Sequence, residues 1–443
     1  MCGINGIISK DKNKDKLIKS MNEKILHRGP DAEGIFVEGD VALGQRRLSI
    51  IDLAGGNQPI YNEDKSILIM YNGEVYNYKE LKEELTEYKF ETESDTEVVL
   101  HGYEKWGHDL PKKLRGMFAY AIYDKNKGEI FISRDQFGIK PLYYYHDGDT
   151  ILFGSEIKSF LAYPKFKKVL NKELLGAYLT FSFTPTDETF FKGVYRLPSG
   201  HSMTIDVKKR KIKIDRYFKV EFGNTDKSFD EVVKDISTAM KDSTEHHLIS
   251  DVEVGSFLSS GVDSSYLVSL AKPDKTYTIG FDLAKYSEID YAKDLTDKLN
   301  IKNISEKISK EEYMNALSEV YYHMDEPTAD GCAIAVYFLS RLASKDVKVV
   351  LSGEGADEFF GGYNSYDDNF YTKLPFFIRK SMASICKILP KNKITRYIIR
   401  RGLPLEESYV SINRTYYDDE LKDVLKIDNY IKNKDIVKDV YDE

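Results

Sequence analysis

The sequence predicts two domains of different class: an α+β domain over residues 2–218, rich in antiparallel strands, and an α/β domain with a parallel sheet over 228–443. Three observations predict this. At 443 residues the chain exceeds what one hydrophobic core usually organises. Its first half repeats short β-branched and aromatic runs around Gly-containing turns. After about residue 227 the pattern switches to strands alternating with helices, which implies parallel pairing.

In chain order, "KDKLIKSMNEKIL" reads as a helix, and "GDVALGQRRLSIID" and "KSILIMYNGEVYNY" as hairpin-like. The helix "DTEVVLHGYEKWG" follows, and then the hairpins "GMFAYAIYDKNKGEIFISRD", "KPLYYYHDGDTILFGS" and "HSMTIDVKKRKIKIDRYF". The polar stretch 219–227 is the linker. Beyond it, "FDEVVKDISTAMKDSTEHHL" is an amphipathic helix, "VEVGSFLSS" a buried strand and "SSYLVSLA" a helix. "KTYTIGFD" is a second strand, "SEIDYAKDLTDKLN" a helix and "VKVVLSG" a third strand. The last 80 residues are rich in Lys and Arg and read as helical.

Composition excludes several classes. A net charge of −8 argues against nucleic acid as partner. No apolar run approaches the roughly 18 residues of a membrane span, and no signal peptide is recognisable, so a cytoplasmic location is expected. Cys2, Cys332 and Cys386 are too scattered for a disulfide framework or a zinc site.

Three stretches carry chemistry. Excision of Met1, usual before a small residue, would leave the Cys2 thiol beside a free α-amine, a nucleophile and a base in one residue. Alternatively Cys2 is a small hydrophobe on the first strand. "FLSSGVDSS" (257–265) joins a strand to a helix, where backbone N–H groups and serine hydroxyls would cradle pyrophosphate and Asp263 would take Mg²⁺. An ordinary strand–turn–helix capped by Asp263 and Ser264 is the competing reading. "LSGEGADEFFGGY" (351–363) places Glu354, Asp357 and Glu358 at the end of another strand, as metal ligands or as a simple acidic helix start.

Together these stretches resemble the glutamine-hydrolysing asparagine synthetase family, up to about residue 363. "SSGVDSS" and "SGEGADEFFGGY" resemble its two synthetase signatures. "MCGI", "HRGPD" (27–31), "RRLSIID" (46–52), "YNGEVYN" (71–77), "SDTEV" (94–98) and "RDQFGIKPLYY" (134–144) resemble a class II glutamine amidotransferase domain. The resemblance implies an N-terminal-nucleophile hydrolase fold, an αββα sandwich, followed by an ATP-pyrophosphatase-like domain. It implies that Cys2 attacks the glutamine amide, that Asn72 and the Gly73 N–H form the oxyanion hole, that Arg47 holds the substrate carboxylate, and that Glu74 and Asp95 receive its ammonium. Leu258, Ile279, Ser352 and Gly353 would contact AMP. Ser259, Gly261, Asp263 and Ser264 would hold pyrophosphate and Mg²⁺, with Asp357 a further metal ligand. Aspartate and ATP would give β-aspartyl-AMP, from which ammonia, delivered through an internal channel, displaces AMP. A homodimer is also compatible.

Local readings compete with each role. Asn72-Gly73 is a strong hairpin signal, Ser94 with Glu97 a capping box that would make Asp95 mere helix-start acidity, and Arg47 an ordinary surface charge. Ser260 replaces the first Gly of the family's phosphate loop, and Ala335 stands where a proline is frequent. The family's later Arg-Val-Pro-Phe-Leu-Asp motif does not occur before Glu443, so the expectation is glutaminase activity with little asparagine formed. An amidotransferase for another carboxylate, such as a uronic acid in glycan synthesis, and a non-catalytic fragment are the alternatives.

Overall fold

The computed structural model describes all residues except 224, 283–286, 330, 364–370, 372, 391, 405–415, 417, 427–429 and 443. Chain contacts divide it into two units. One comprises Met1–Lys168, Gly193–Ala316 and Val336–Ser352; the other comprises Val169–Lys192, Leu317–Ala335 and Gly353–Glu443.

The first unit begins with the strands β1 (Gly3–Ile8), β2 (Ala32–Glu38), β3 (Val41–Arg47), β4 (Ile60–Tyr61), β5 (Ile67–Val75), β6 (Gly116–Asp124), β7 (Glu129–Arg134), β8 (Tyr143–His146), β9 (Ile151–Gly154), β10 (Val194–Arg196), β11 (His201–Asp206) and β12 (Lys211–Arg216). They form two six-stranded sheets, ordered β10-β8-β9-β1-β3-β2 and β12-β11-β7-β6-β5-β4, with antiparallel pairing throughout. Alternation decides the layers, because successive side chains point to opposite faces. Ile4, Ile8, Leu43 and Phe153 of one sheet meet Leu68, Met70, Ala121 and Ile132 of the other in a buried core. The other face of β5 and β6 (Ile69, Tyr71, Phe118, Tyr120) packs on helices α2 (Tyr78–Glu84) and α3 (Asp95–Trp106) through Leu81, Val98, Val99 and Tyr103. Helix α1 (Lys14–Lys24) covers the first sheet, where Asn22 Oδ1 accepts from Asn5 Nδ2 at 3.1 Å. The order of layers is helix, sheet, sheet, helix, as expected for the αββα sandwich.

Three of the five predicted hairpins form within their stretches (β6–β7, β8–β9 and β11–β12), while the fourth, "GDVALGQRRLSIID", supplies only β3, whose hairpin partner β2 precedes it. The fifth does not. Asn72 and Gly73 lie inside β5, paired with Ala119 and Phe118 of β6. The glycine serves close approach, since a Cβ on Gly73 would lie 2.5 Å from the Met117 carbonyl oxygen.

The second unit contains helix α4 (Leu175–Phe181), where Thr180 Oγ1 donates to the Tyr416 carbonyl at 3.0 Å. There Glu326 accepts from Thr184 Oγ1 at 3.0 Å and from the Phe190 N–H at 3.1 Å.

The first unit also holds α5 (Phe229–His247), α6 (Val262–Ala271) and α7 (Ile289–Leu299), with the strands β13 (Val254–Phe257), β14 (Lys275–Phe281), β15 (Lys302–Ile308) and β16 (Val349–Leu351). The sheet is parallel, in the order β15-β14-β13-β16. Val268 of α6 and Ala292 of α7 pack with Leu258 on one face, and Leu342 and Ala343 with Tyr277 on the other. "VKVVLSG" is therefore the fourth strand, because β15 was not anticipated. Polar ties join this sheet to the sandwich within the unit, among them Lys348 Nζ to Asp31 Oδ2 at 2.6 Å, the Asp52 N–H to Asp251 Oδ2 at 2.8 Å and the Asp251 N–H to the Ile50 carbonyl at 3.1 Å.

The second unit continues with α10 (Ala356–Phe360), α11 (Phe376–Cys386) and α12 (Lys393–Arg401), numbered after two helices at Lys310–Met324 and Cys332–Ala343. Tyr371 Oη contacts the Arg379 and Ile398 carbonyls, each at 3.1 Å, tying α11 to α12. Among the described residues no helix is long and apolar enough to cross a membrane.

Candidate active site

Cys2 immediately precedes β1 and shares the parity of Ile4 and Ile8, which places it on the inter-sheet face at the end of the sandwich. Asn72 and Glu74 share the parity of Leu68 and Met70 on β5, and so face the same layer. The Leu48 N–H, just past β3, donates to the Cys2 Sγ at 3.4 Å. Arg28 Nε donates to the Cys2 carbonyl at 2.8 Å, and the same guanidinium pairs with Glu156 at 3.0 Å. Cys2 is thus held through both its backbone carbonyl and its sulfur.

The buried Arg28 Nη2, Asn72 Nδ2 and Glu74 Oε2 here have no hydrogen-bond partner among the described residues. An unmatched buried donor costs about 1–3 kcal/mol, so such groups in a native site call for a ligand. A donor beside a thiol suits a carbonyl oxygen that becomes an oxyanion. An acceptor beside it suits an ammonium.

Burial pushes the Glu74 carboxyl well above its ordinary range, and the Asp95 charge adds to it. The Asp95 carboxyl is likewise raised by burial, against bonds from the Val75 N–H at 2.9 Å and the Tyr71 hydroxyl at 2.7 Å. Asp95 is therefore largely committed, and Glu74 is the freer acceptor. The capping-box reading is corrected in part. Ser94 does cap α3 through the Thr96 N–H, but Glu97 instead accepts from the Glu91 and Thr92 N–H groups. Asp95 is 3% exposed and is no surface charge. Nor is Arg47, at 5%; it donates to Asn57 Oδ1 at 3.0 Å and to the Ile51 and Asp52 carbonyls at 3.1 and 2.6 Å. Three of its five donors hold the 51–57 loop.

Burial raises the Cys2 thiol, against the Leu48 N–H, and lowers the Met1 α-amine to about 5. The same burial disfavours the charged form of an amine placed here.

Leu258, Ser259, Gly261, Asp263, Ser264 and Ile279 gather at the C-terminal edge of β13 and β14, the side where open α/β sheets bind ligands. Ser352 follows the parallel neighbour β16. The loop closes on itself. Ser259 and Ser264 hydroxyls are 2.9 Å apart, and Ser265 Oγ donates to the Gly261 carbonyl at 2.8 Å. Gly261 is the N-cap of α6, and no side chain caps that first turn. The expected cap by Asp263 or Ser264 is therefore replaced by an open helix end, which suits an anion. Gly353 and Asp357 belong to the second unit, Asp357 in the first turn of α10.

Comparison with known proteins fits both sites. Residues 1–218 match a family model described as a glutamine amidotransferase domain, and residues 235–432 one described as asparagine synthase. Asparagine synthetase [glutamine-hydrolyzing] 1 of Bacillus subtilis is 40% identical over 100% of this chain and 72% of its own length. The chain belongs to the glutamine-hydrolysing asparagine synthetase family. A putative member from Methanocaldococcus jannaschii is 38% identical over 86% of this chain and 79% of its own. A solved glutamine phosphoribosylpyrophosphate amidotransferase from B. subtilis aligns with 69% of this chain and 65% of its own at 17% identity, with a TM-score of 0.37, and bears no weight beside these.

Membership in this family does not favour the uronic-acid alternative. Sequence reasoning missed the contacts of Leu48 and Arg28 to Cys2, of Lys140 to Met1, and of Tyr71 to Asp95. Arg28 and Lys140 stand inside quoted motifs, but their contacts to residues 1 and 2 are long-range.

Proposed function

We propose that this asparagine synthetase hydrolyses glutamine at Cys2 and passes the ammonia to an aspartyl adenylate formed at the 258–264 loop. The observation that carries the first half is the pair of buried, unbonded groups, Asn72 Nδ2 and Glu74 Oε2, on the inter-sheet face that Cys2 also shares. With Met1 removed, the Cys2 α-amine takes the thiol proton as Sγ attacks the amide carbon. Asn72 and the Gly73 N–H receive the oxyanion, while Glu74, with Asp95 behind it, and Arg47 hold the ammonium and carboxylate ends. The amine returns its proton to the leaving ammonia, and water then cleaves the thioester to glutamate.

In the second half the aspartate β-carboxylate attacks the α-phosphorus of ATP and releases pyrophosphate, and ammonia displaces AMP. The uncapped start of α6, with Ser259, Gly261 and Ser264, supports phosphate binding there, with Leu258, Ile279, Ser352 and Gly353 toward AMP. Among the described residues no group of three or more His, Cys, Asp or Glu is arranged to hold a metal ion by itself. A lone acid with hydroxyls fits Mg²⁺ nonetheless, since that ion takes one or two carboxylates and completes its shell with substrate phosphates. Asp263 would hold it, and bound there the ion would neutralise phosphate charge; Asp357, in the second unit, is a further candidate only by the family resemblance. The division at 2–218 and 228–443, a cytoplasmic location and a homodimer belong to the same proposal and rest on the family likeness.

The test is a paired assay of glutamate and asparagine in glutamine, aspartate, ATP and Mg²⁺. Asparagine formed together with AMP and pyrophosphate supports the reading. Glutamate formed without aspartate-dependent pyrophosphate release contradicts the second half.

A further inference from the structure

The motif "RDQFGIKPLYY" has no part in the reaction as described, yet the fold invests heavily in it. Arg134 and Asp135 are buried at the end of β7. Arg134 donates to the Lys140 carbonyl at 2.8 Å and to those of Leu197 and Gly138, each at 2.6 Å. Asp135 accepts from the N–H groups of Phe137, Ile139 and Lys140 at 3.1, 2.8 and 2.9 Å, and of Phe118 at 3.2 Å. Phe118 is the cross-strand partner of Gly73. Residues 135–140 are thus wound about one buried carboxylate, in register with the strand that carries Asn72 and Glu74.

The product of this winding is Lys140, only 4% exposed. Its ammonium donates to the Met1 Sδ at 3.3 Å. A thioether is a weak acceptor, a poor match for a buried cation. Met1 is also the residue whose removal the reaction requires. The charged groups around the ammonium are Cys2, Glu74, Asp135 and Arg28, together with the chain-terminal amine.

We propose that Lys140 is an electrostatic positioning residue of the glutaminase centre: once Met1 is excised, its ammonium favours the Cys2 thiolate and keeps the adjacent α-amine neutral. A nearby cation stabilises an anion and destabilises a second cation, so both effects favour the nucleophile–base pair. Burial itself lowers Lys140, while Glu74 works to keep it charged. The inference rests on Cys2 as nucleophile.

The experiment uses the full chain with Met1 excised, and follows iodoacetamide alkylation of the Cys2 sulfur against pH by mass mapping of the N-terminal peptide. Lys140→Met should displace the rate profile to higher pH and slow alkylation at pH 7 by about tenfold, the effect of one pKa unit. Lys140→Arg, which keeps the charge, should leave the profile near wild type. A Lys140→Met profile that superposes on wild type overturns the proposal. So does a Lys140→Arg profile displaced upward, which stands as a test even if the Met variant does not fold. Glutaminase assays of Cys2→Ala run alongside. Activity surviving there would refute Cys2 itself, whereas lost activity with an unmoved Lys140→Met profile would refute only the role of Lys140.

Discussion

Replacing Asn72 with Ala should separate catalysis from stability. In the free protein the Asn72 Nδ2 is buried without a partner, and the residue is 1% exposed. That unmet donor costs the folded state about 1–3 kcal/mol. In the proposed reaction the same group would meet an oxyanion in the transition state, and losing such a donor costs about 10²–10³ in kcat, or about 2.7–4 kcal/mol. Asn72→Ala removes both effects together. The expected outcome in steady-state glutaminase assays is a kcat about 10²–10³-fold lower with KM nearly unchanged. Calorimetry should find a thermal midpoint no lower than wild type, because relief of the unpaired donor offsets the lost contacts of a small side chain. A kcat within about tenfold of wild type would refute the oxyanion role. A raised KM with kcat retained would place Asn72 in ground-state binding instead.

Glu74→Gln should raise KM for glutamine by the factor corresponding to about 2–5 kcal/mol, with a smaller effect on kcat, as initial-rate assays would show. Because the Glu74 carboxyl is raised, wild-type KM should climb as pH falls through a range above ordinary carboxylates, and Glu74→Gln should abolish that climb. Glu156 is pushed up by burial, but His27, Arg28 and Lys158 outweigh this and hold it at about 2 against 4.5. At about 1.36 kcal/mol per pKa unit, Glu156→Gln should lose about 3 kcal/mol of unfolding free energy at pH 7. A depressed carboxyl stabilises above its unfolded value, so denaturant titrations should show that difference shrinking as pH falls from 4.5 towards about 2. Because burial lowers the Met1 α-amine, a Cys2 α-amine freed in the same surroundings should also titrate low, and the acidic limb of glutaminase kcat/KM should lie below the roughly 7.7–8.0 of an ordinary terminal amine. A limb near pH 8 would remove the amine as base.

Local signals were reliable where local geometry decides the outcome. The glycines at 39, 128 and 148 take positive φ at real turns, as their punctuation suggested. Asn72-Gly73 carries the same turn signal, but the close approach of Met117 on β6 makes it a strand interior, and no local pattern contains that neighbour. Ser94 was legible as a cap because the bond it accepts lies two residues away. The destination of Glu97, which folds back on residues 91 and 92, was not. β15 was missed because its alternation is weak, with most of its side chains only partly covered. The competing reading of Arg47 as a surface charge fails, because the side chain folds back onto residues 51–57 and is buried there; Lys140 is buried against Met1, a neighbour 139 residues away that no local pattern contains. The pocket's ordered motifs were visible in sequence; which of their members stand unpaired was visible only in the fold.

The most direct test of the account is glutamate release by the Met1-excised chain and by its Cys2→Ala variant, with glutamine as sole substrate. The account predicts that turnover is abolished in the variant while glutamine still binds, because Arg47, Glu74 and Asp95 remain. Glutamate release within about tenfold of wild type would contradict it, since a true nucleophile's loss costs several orders of magnitude.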